Sequence, residues 1–192
     1  MTTYISILRG INVSGQKLIK MDVLRKSYES LGFQNVITYL QSGNVIFTGK
    51  EVDTNKLAQI ISGQIEKDFG FQVPVIVLSV DKLQQIIDQN PFAKESDKDP
   101  TFLHVTFLSS IPDKYDLDTI EEKKFIGEDI SVINNAVYLY CPNGYGRTKL
   151  NNNFLETKLK VTATTRNWKT TCELLRIVEN TITTNYQFSS PD

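Results

Sequence analysis

The chain has 192 residues, with 21 Lys and Arg, 22 Asp and Glu and a single His, so its formal net charge is −1. This balance excludes a protein that is basic throughout and holds nucleic acid or an anionic membrane by its overall field. Hydrophobic residues make up 40% and charged residues 22% of the chain, a mixture typical of a globular protein. Its two cysteines exclude a disulfide scaffold and a zinc site with four cysteine ligands.

The first half of the chain alternates strand and helix signals. Apolar, β-branched runs predict strands, apolar residues three or four positions apart predict helices, and glycines mark the ends of helices. Ser42-Gly43 predicts a tight hairpin, because glycine accepts the positive φ that such turns need. In chain order the predicted elements are a strand over 3–9, a loop over 11–19, a helix over 21–31, strands over 36–40 and 44–48, a helix over 57–69 capped by Asp53 or Thr54 and stopped by Gly70, a strand over 73–78 and a short helix capped by Ser79.

The second half repeats this order. Pro112 predicts the start of its first helix, and Asn134-Asn135 predicts a hairpin. The predicted elements are a strand over 102–108, the helix opened by Pro112, strands over 130–133 and 137–141, a loop over 142–148, a helix over 150–159, a short strand over 161–165 and a last helix capped by Asn167, with a frayed tail from Asn185.

This order predicts an α+β fold made of two tandem ferredoxin-like subdomains. Each half has the βαββαβ order of the α/β plait and is followed by an extra helix. The segment over 90–100, rich in Asp, Lys and Pro, joins the halves, so we predict subdomains over residues 1–95 and 96–192. The inferred duplication rests on element order alone, since the halves show no convincing residue-by-residue repeat.

The plait brings two polar loops of the first half together. Its first two strands are parallel with the third between them, so the end of the first strand and the following hairpin lie at one edge. These positions carry Arg9, Asn12, Ser42 and Asn44, beside glycines that let a ligand approach the backbone. We predict that the four residues form a polar binding pocket. The alternative is that Arg9 and Asn44 only tie the loops together through backbone hydrogen bonds.

The second half carries an anion-binding pattern. The Gly-rich loop that contains Arg147 and the start of the last helix share the opposite sheet edge. Arg147 and Arg166 would pair with an anion there, and Asn167 would cap a helix N-terminus, whose free N–H groups favour anions. The net charge is +5 over 147–176 and −6 over 95–129, although solvated helix faces explain such stretches equally well.

Three segments carry recognisable motifs: LRGINVSG within residues 7–15, TYLQSGNVIF over 38–47 and ATTRNW over 163–168. Together with a Gly-rich loop that ends in Arg147, they resemble an uncharacterised, mostly bacterial family known as domain of unknown function 1697. Ser14 stands where that family usually has Gly. The resemblance covers nearly the whole chain and implies two plait-like subdomains. It implies no activity, because none is established for the family.

The sequence supports no catalytic centre, metal site or cofactor, and whether the chain is an enzyme stays open. Nucleophilic catalysis needs a nucleophile, a base and an orienting group. The single His104 lies in the middle of a strand of the other half from Ser42, where a structural role is favoured. The loop over 144–149 departs from a phosphate-binding P-loop, because its second glycine is not followed by Lys and Ser or Thr.

Membrane and export signals are absent from the pattern. The N-terminus has no basic region before its apolar stretch, and the longest apolar run, over 73–78, is far shorter than the roughly 20 residues of a spanning helix. We therefore expect a cytoplasmic protein with reduced thiols.

The leading hypothesis is a protein that binds a small anionic or phosphorylated ligand at these loop clusters. The alternative is a single-stranded RNA-binding or protein-interaction module, in the latter case a homodimer, with no catalysis. Plaits that bind RNA stack bases on aromatic residues of an open sheet face, and here Tyr138 and Tyr140 give only a weak sign of one. Strands that are apolar on both faces predict that both sheet faces are covered, which disfavours nucleic acid and favours pairing with the other half or a second copy.

Overall fold

The computed structural model describes residues 1–187, with side chains as far as residue 181. It has a mixed α+β fold with two four-stranded antiparallel sheets. None of the helices within residues 1–187 combines the length and apolarity needed to span a membrane. The tail predicted to fray from Asn185 lies, beyond Gln187, outside the described residues.

The chain divides into two compact units. One consists of Met1–Gln84 and the segment that begins at Cys172, and the other is Gln85–Thr171. Both divisions fall inside helices. The boundary between residues 95 and 96, which the composition of the segment over 90–100 predicts, stays a prediction.

The first unit contains one sheet, with β3 between β1 and β2 as predicted. The elements are β1 (Thr2–Leu8), α1 (Met21–Ser30), β2 (Gln34–Tyr39), β3 (Asn44–Gly49), α2 (Thr54–Phe69), β4 (Val75–Ser79) and the start of α3 (Val80–Asp88). The strand order is β2-β3-β1-β4, and every neighbouring pair is antiparallel. The C-terminal end of β1 and the β2–β3 hairpin therefore lie at the same end of the strands in this sheet.

The second unit repeats this arrangement. After two 3₁₀ turns, Phe92–Lys94 and Pro100–Phe102, its elements are β5 (Leu103–Leu108), α4 (Leu117–Glu121), β6 (Asp129–Ile133), β7 (Ala136–Tyr140), α5 (Asn152–Leu159), β8 (Ala163–Asn167) and the start of α6 (Trp168–Gln187). The strand order is β6-β7-β5-β8, again with every neighbouring pair antiparallel. The inferred duplication of element order is confirmed.

Helix ends follow the predicted caps in most places. Oδ1 of Asp53 accepts hydrogen bonds from two backbone N–H groups in the first turn of α2, at 3.0 and 3.1 Å. Gly70 ends α2 with a left-handed φ of 76°. At the start of α6, Oδ1 of Asn167 accepts a hydrogen bond of 2.7 Å from the N–H of Thr170. Each cap satisfies a donor or acceptor that the helix itself leaves without a partner.

Several predicted boundaries are wrong: β2 begins two residues earlier than predicted, and β4 begins two residues later. The helix expected from Pro112 begins at Leu117, where Oδ1 of Asp116 accepts the N–H of Thr119 at 3.2 Å. A proline fixes only its own φ, whereas a capping carboxylate satisfies a first-turn donor, so the aspartate sets the start of the helix. The last strand begins two residues later than predicted, at Ala163, the first residue of β8 that pairs with β5.

Both faces of the central strand β1 are buried. On β1, Tyr4 and Leu8 lie on one face and Ile5 and Ile7 on the other, and all four are buried. The prediction that both faces are covered is confirmed for this strand.

The β2–β3 hairpin packs directly against the chain that follows β1. Gly43 has a φ of 78°, and its carbonyl oxygen accepts the N–H of Leu8 at 2.8 Å. A Cβ atom at this position would lie 2.6 Å from Cδ1 of Ile11 and 2.9 Å from Cβ of Leu8. Only glycine fits both this backbone conformation and this close approach.

A single lysine joins three segments of the second unit. Nζ of Lys98 lies 2.7 Å from a carboxylate oxygen of Glu95 and 2.9 Å from one of Asp129. It also lies 5.4 Å from the ring centre of Phe92 and 5.2 Å from that of Tyr140. The two carboxylates raise the pKa of Lys98 above its ordinary value. The ammonium group therefore fastens the segment before β5 to the edge of the sheet.

We expect Gly43→Ala to lower the free energy of unfolding by about 3 kcal/mol, because a left-handed Ala is strained and its Cβ overlaps Ile11. Gly63→Ala is the matched control, since Gly63 lies inside α2 with no neighbouring atom near the added Cβ. It should stabilise the helix by roughly 0.5–1 kcal/mol. Urea denaturation measures both. Equal effects of the two variants would contradict the packing described for the hairpin.

We expect Lys98→Met to lower the free energy of unfolding by about 1–2 kcal/mol, because two neighbouring carboxylates lose their shared cation. The loss should shrink at high salt, as the repulsion between the carboxylates is screened. Lys123→Met replaces an exposed lysine of the same unit and should change stability little. Guanidinium chloride is itself a salt, so urea is the denaturant for this comparison.

Candidate functional site

The loop after β1 is organised by the side chain of Asn12. Asn12 has a left-handed φ of 55°, and its N–H donates to the carbonyl oxygen of Lys17 at 3.1 Å. Its Oδ1 accepts the N–H of Ile19 at 2.8 Å, while Nδ2 donates to the carbonyl oxygen of Ile19 at 2.9 Å. The side-chain amide therefore accepts a hydrogen bond from the backbone of Ile19 and donates one to it, and this pair of bonds closes the loop.

The same amide joins this loop to the β2–β3 hairpin. The second hydrogen of Nδ2 in Asn12 donates to the carbonyl oxygen of Gln41 at 2.9 Å. The proximity of the two loops that the plait order predicts is therefore confirmed. Both amide hydrogens of Asn12 are engaged with backbone oxygens, so Asn12 holds the loops in place.

The tip of the loop is a tight turn. Ser14 and Gly15 have φ values of 50° and 74°, and the N–H of Gln16 donates to the carbonyl oxygen of Val13 at 2.9 Å. Two consecutive residues with positive φ give the type I′ turn that suits a hairpin. Nζ of Lys17 donates to the carbonyl oxygen of Gln72 at 2.7 Å. This bond anchors the part of the loop that follows the turn.

The hairpin is held by Asn44 in a similar way. Asn44 is fully buried, and its Nδ2 donates to the carbonyl oxygen of Tyr39 at 2.9 Å and to Oγ of Ser42 at 3.2 Å. The backbone N–H of Arg9 donates to the carbonyl oxygen of Pro74 at 3.0 Å. The bonds of Asn44 hold its own hairpin together, which is a structural use of this side chain. Binding roles for Arg9, Ser42 and Asn44 stay predictions.

A surface pocket of about 610 Å³ opens where the two loops meet the start of α1. It is lined by Asn12, Leu18, Ile19, Lys20, Met21, Asp22 and Gln41. Of the four residues predicted for this cluster, only Asn12 lines the pocket. Sequence reasoning missed Lys20 and Asp22, although the absence of a Ser, Thr, Asp or Asn cap before α1 is a readable signal.

The pocket includes the uncapped N-terminus of α1. Lys20 occupies the N-cap position in an extended conformation and makes no side-chain capping bond. The first intrahelical hydrogen bond runs from the N–H of Leu24 to the carbonyl oxygen of Lys20, at 2.9 Å. The N–H groups of the first turn therefore have no partner within the helix, and they carry the positive end of its dipole.

The second cluster has two arginines in unlike surroundings. Arg166 is buried, and Nη1 donates to Oγ1 of Thr164 at 3.3 Å and to the carbonyl oxygen of Thr165 at 2.9 Å. Burial lowers the pKa of Arg166 to about 10. Arg147 is exposed, and the Oδ1 of Asn167 is engaged in capping α6. An anion-binding role for Arg147, Arg166 and Asn167 stays a prediction.

Tyr145, which sequence reasoning did not single out, connects the Gly-rich loop to the sheet. Its hydroxyl donates to Oγ1 of Thr165 at 3.0 Å, and its ring stacks on His104 with the ring centres 4.8 Å apart. Nδ1 of His104 lies 3.1 Å from the carbonyl oxygen of Phe102, so Nδ1 carries the hydrogen. Burial lowers the pKa of His104, which favours the neutral ring. This packing supports the predicted structural role of His104.

A buried carboxylate and thiol lie near this loop. Oε2 of Glu128 accepts the N–H of Phe125 at 2.9 Å and Oγ1 of Thr148 at 3.0 Å, whereas Oε1 is buried without a hydrogen-bond partner. Burial and the neighbouring Glu128 raise the pKa of the Cys141 thiol to about 12. Cys141 is therefore a thiol rather than a nucleophilic thiolate at neutral pH. Among the described residues, no group of three or more His, Cys, Asp or Glu side chains could hold a metal ion.

Comparison with known proteins identifies the family and the fold. The model of a family described as "Protein of unknown function (DUF1697)" matches residues 1–138. A solved structure described as a conserved bacterial protein from Streptococcus pneumoniae superimposes with a TM-score of 0.67 at 23% sequence identity, over 91% of this chain and 97% of that chain. At this identity the likeness shows the fold alone. No curated protein is similar enough to this chain to count as a relative. The chain belongs to the DUF1697 family of proteins of unknown function.

Proposed function

We propose that this protein binds a small anionic ligand in the pocket at the start of α1. The observation that carries the proposal is the convergence of both motif loops on one pocket, with Asn12 contributed by the first loop and Gln41 by the second. The uncapped first turn of α1 supplies N–H donors, and Lys20 supplies a positive charge beside them. Donors, a positive dipole and a cation together favour an anion.

The local charge supports an anion over a cation. Residues 9–26 contain five basic residues and one acidic residue, in a chain whose overall charge is −1. The acidic residue is Asp22, which lines the pocket in the first turn of α1. Its carboxylate repels an anionic ligand. The same negative charge stabilises α1, because it lies near the positive end of the helix dipole. Lys20 and Asp22 therefore act in opposite directions on any charged ligand.

The cluster of Arg147, Arg166 and Asn167 is a weaker candidate for the same function. The guanidinium of Arg166 already donates to two oxygens of its own strand, and Asn167 is engaged as a cap. Only the exposed Arg147 has the surroundings expected of a surface ligand contact. A phosphorylated ligand at this edge, as the sequence predicts, would need Arg166 to exchange its present partners.

One of the two tyrosines on which the RNA-binding alternative depends is inaccessible to a base. Tyr138, which would serve as a stacking residue, is fully buried, and its hydroxyl donates to the carbonyl oxygen of Ile86 at 2.8 Å. A protein-interaction role with a homodimer remains the alternative to ligand binding.

We assign each unit to the ferredoxin-like plait, with the subdomain boundary proposed near residue 95. The βαββαβ element order and the strand orders β2-β3-β1-β4 and β6-β7-β5-β8 support this assignment. We also propose a cytoplasmic location. Cys141 and Cys172 are both free thiols, as expected in a reducing compartment.

The proposed function is tested by measuring phosphate and pyrophosphate affinities for charge variants of the pocket. We expect Lys20→Gln to weaken binding roughly fivefold to tenfold, because a charge-assisted contact is lost. Asp22→Asn should strengthen binding, because the opposing carboxylate is removed. Titration followed by two-dimensional NMR measures both affinities and locates the binding through shifts in the amide signals of residues 18–22.

Lys56→Gln is the matched control, since Lys56 is an exposed lysine in the first turn of α2, outside the pocket. It should leave phosphate affinity unchanged. If Lys20→Gln did not weaken phosphate binding and Asp22→Asn did not strengthen it, the anion would not be held at this pocket. If only Arg147→Ala reduced phosphate affinity, the ligand site would lie at the second cluster instead. Absence of binding at ten-millimolar phosphate would overturn the proposal.

A further inference from the structure

We infer that the ligand of this pocket is an anionic amphiphile, with one anionic head group and an aliphatic body. This inference rests on the proposed anion site and specifies the part of the ligand that the charges leave undetermined. The supporting observation is an apolar rim, which we define as Leu18, an exposed residue of the pocket lining, together with the exposed side chains of Val13 and Leu40 on the two loops that form the pocket.

Three large apolar residues of these loops are exposed. Leu18 is 67% exposed and lines the pocket, Val13 is 57% exposed at the tip of the same loop, and Leu40 is 50% exposed at the start of the hairpin. Their neighbours Ile11 and Ile19 are buried, so this loop uses some of its apolar residues for the core and presents others to solvent. Apolar groups clustered around a pocket are typical of binding surfaces.

The backbone that carries the exposed apolar side chains is held in place by hydrogen bonds. The hydrogen bonds of Asn12 and Lys17 fix the backbone on both sides of Val13 and close to Leu18. Leu40 has a left-handed φ of 61°, a conformation that costs a residue with a bulky side chain roughly 1–2 kcal/mol. Because the backbone is fixed and Leu40 is held in a strained conformation, we infer that the rim is preorganised, that is, formed before a ligand binds.

The chemistry of the lining favours an aliphatic body over an aromatic ring. The apolar members of the lining are Leu18, Ile19 and Met21, and none of its seven residues is aromatic. A nucleobase would have no ring to stack on there, whereas a flexible alkyl chain packs well on Leu and Met side chains. Lys20 lies in the same lining, so a head group at the cation leaves the body beside these side chains.

The inference is tested with a homologous series of inorganic phosphate and butyl, hexyl and octyl phosphate, each below its micelle concentration. Burial of a methylene is worth about a fourfold gain in affinity when complete, so we expect Kd to fall roughly twofold to fourfold for each added methylene. Calorimetric titration gives the affinities, and the NMR signals of residues 13, 18 and 40 report whether the chain lies on the rim. Octyltrimethylammonium, with the same body and the opposite charge, should bind much more weakly.

Two variants isolate the apolar rim. Leu18→Ser should remove most of the dependence of Kd on chain length. Leu40→Asn should reduce the dependence on chain length while raising stability by relieving strain, because Asn tolerates the left-handed conformation; a loss of folding therefore cannot explain its effect. The control is Ile60→Ser, which removes an apolar side chain of α2 that is 48% exposed and outside the pocket. It should leave the whole series unchanged.

The outcomes separate this inference from the proposed function. If phosphate binds at the pocket and all alkyl phosphates bind with the same affinity, the inference is overturned and the anion site stands. If neither phosphate nor octyl phosphate binds, both are overturned. If octyltrimethylammonium binds more tightly than octyl phosphate, the charge assignment fails and the inference falls with it. A concentration-dependent mass in sedimentation that Leu18→Ser abolishes would instead make the rim an interface between copies of this chain, and would also overturn the inference.

Discussion

The side-chain amide of Asn12 is the interaction on which the candidate site depends. It pairs with the N–H and the carbonyl group of Ile19 and with the carbonyl oxygen of Gln41. These backbone groups lie in irregular loops, where no strand or helix supplies partners, and leaving them unpaired away from water would be costly. One residue therefore satisfies the backbone and joins the two loops. The pocket exists because the loops meet at this point, next to the first turn of α1.

The same region concentrates backbone strain. Asn12, Lys17 and Leu40 have positive φ values although none is glycine, and each lies within a few residues of the pocket. Such conformations persist only where surrounding contacts over-determine them. Here those contacts are the amide of Asn12 and the close packing of Gly43 on Ile11. These contacts offset the cost of the strained conformations and hold the backbone around the pocket in one arrangement.

Periodicity and local capping chemistry are readable from sequence, and they predict most of the fold. Asp53, Gly70 and Asn167 act where expected, because caps depend on neighbours two or three residues away. The helix expected from Pro112 fails because another capping residue, Asp116, competes with it a few positions later. Burial is harder to predict, since it depends on residues distant in the chain. Sequence places Arg166 beside a helix N-terminus, but cannot show that its guanidinium is buried and engaged with its own strand.

The contacts show that the motif residues and most of the pocket-lining residues have different roles. Asn12 and Asn44 carry the family resemblance, yet both use their amide hydrogens on oxygens of the protein. They fix the positions of the loops, and the rest of the pocket lining, including Leu18 and Lys20, lies between the motifs. Side chains at these exposed positions carry little of the folding energy, so they can change with small effect on stability. In this chain the motif residues therefore hold the loops that form the pocket, whereas the short segment before α1 supplies most of its lining.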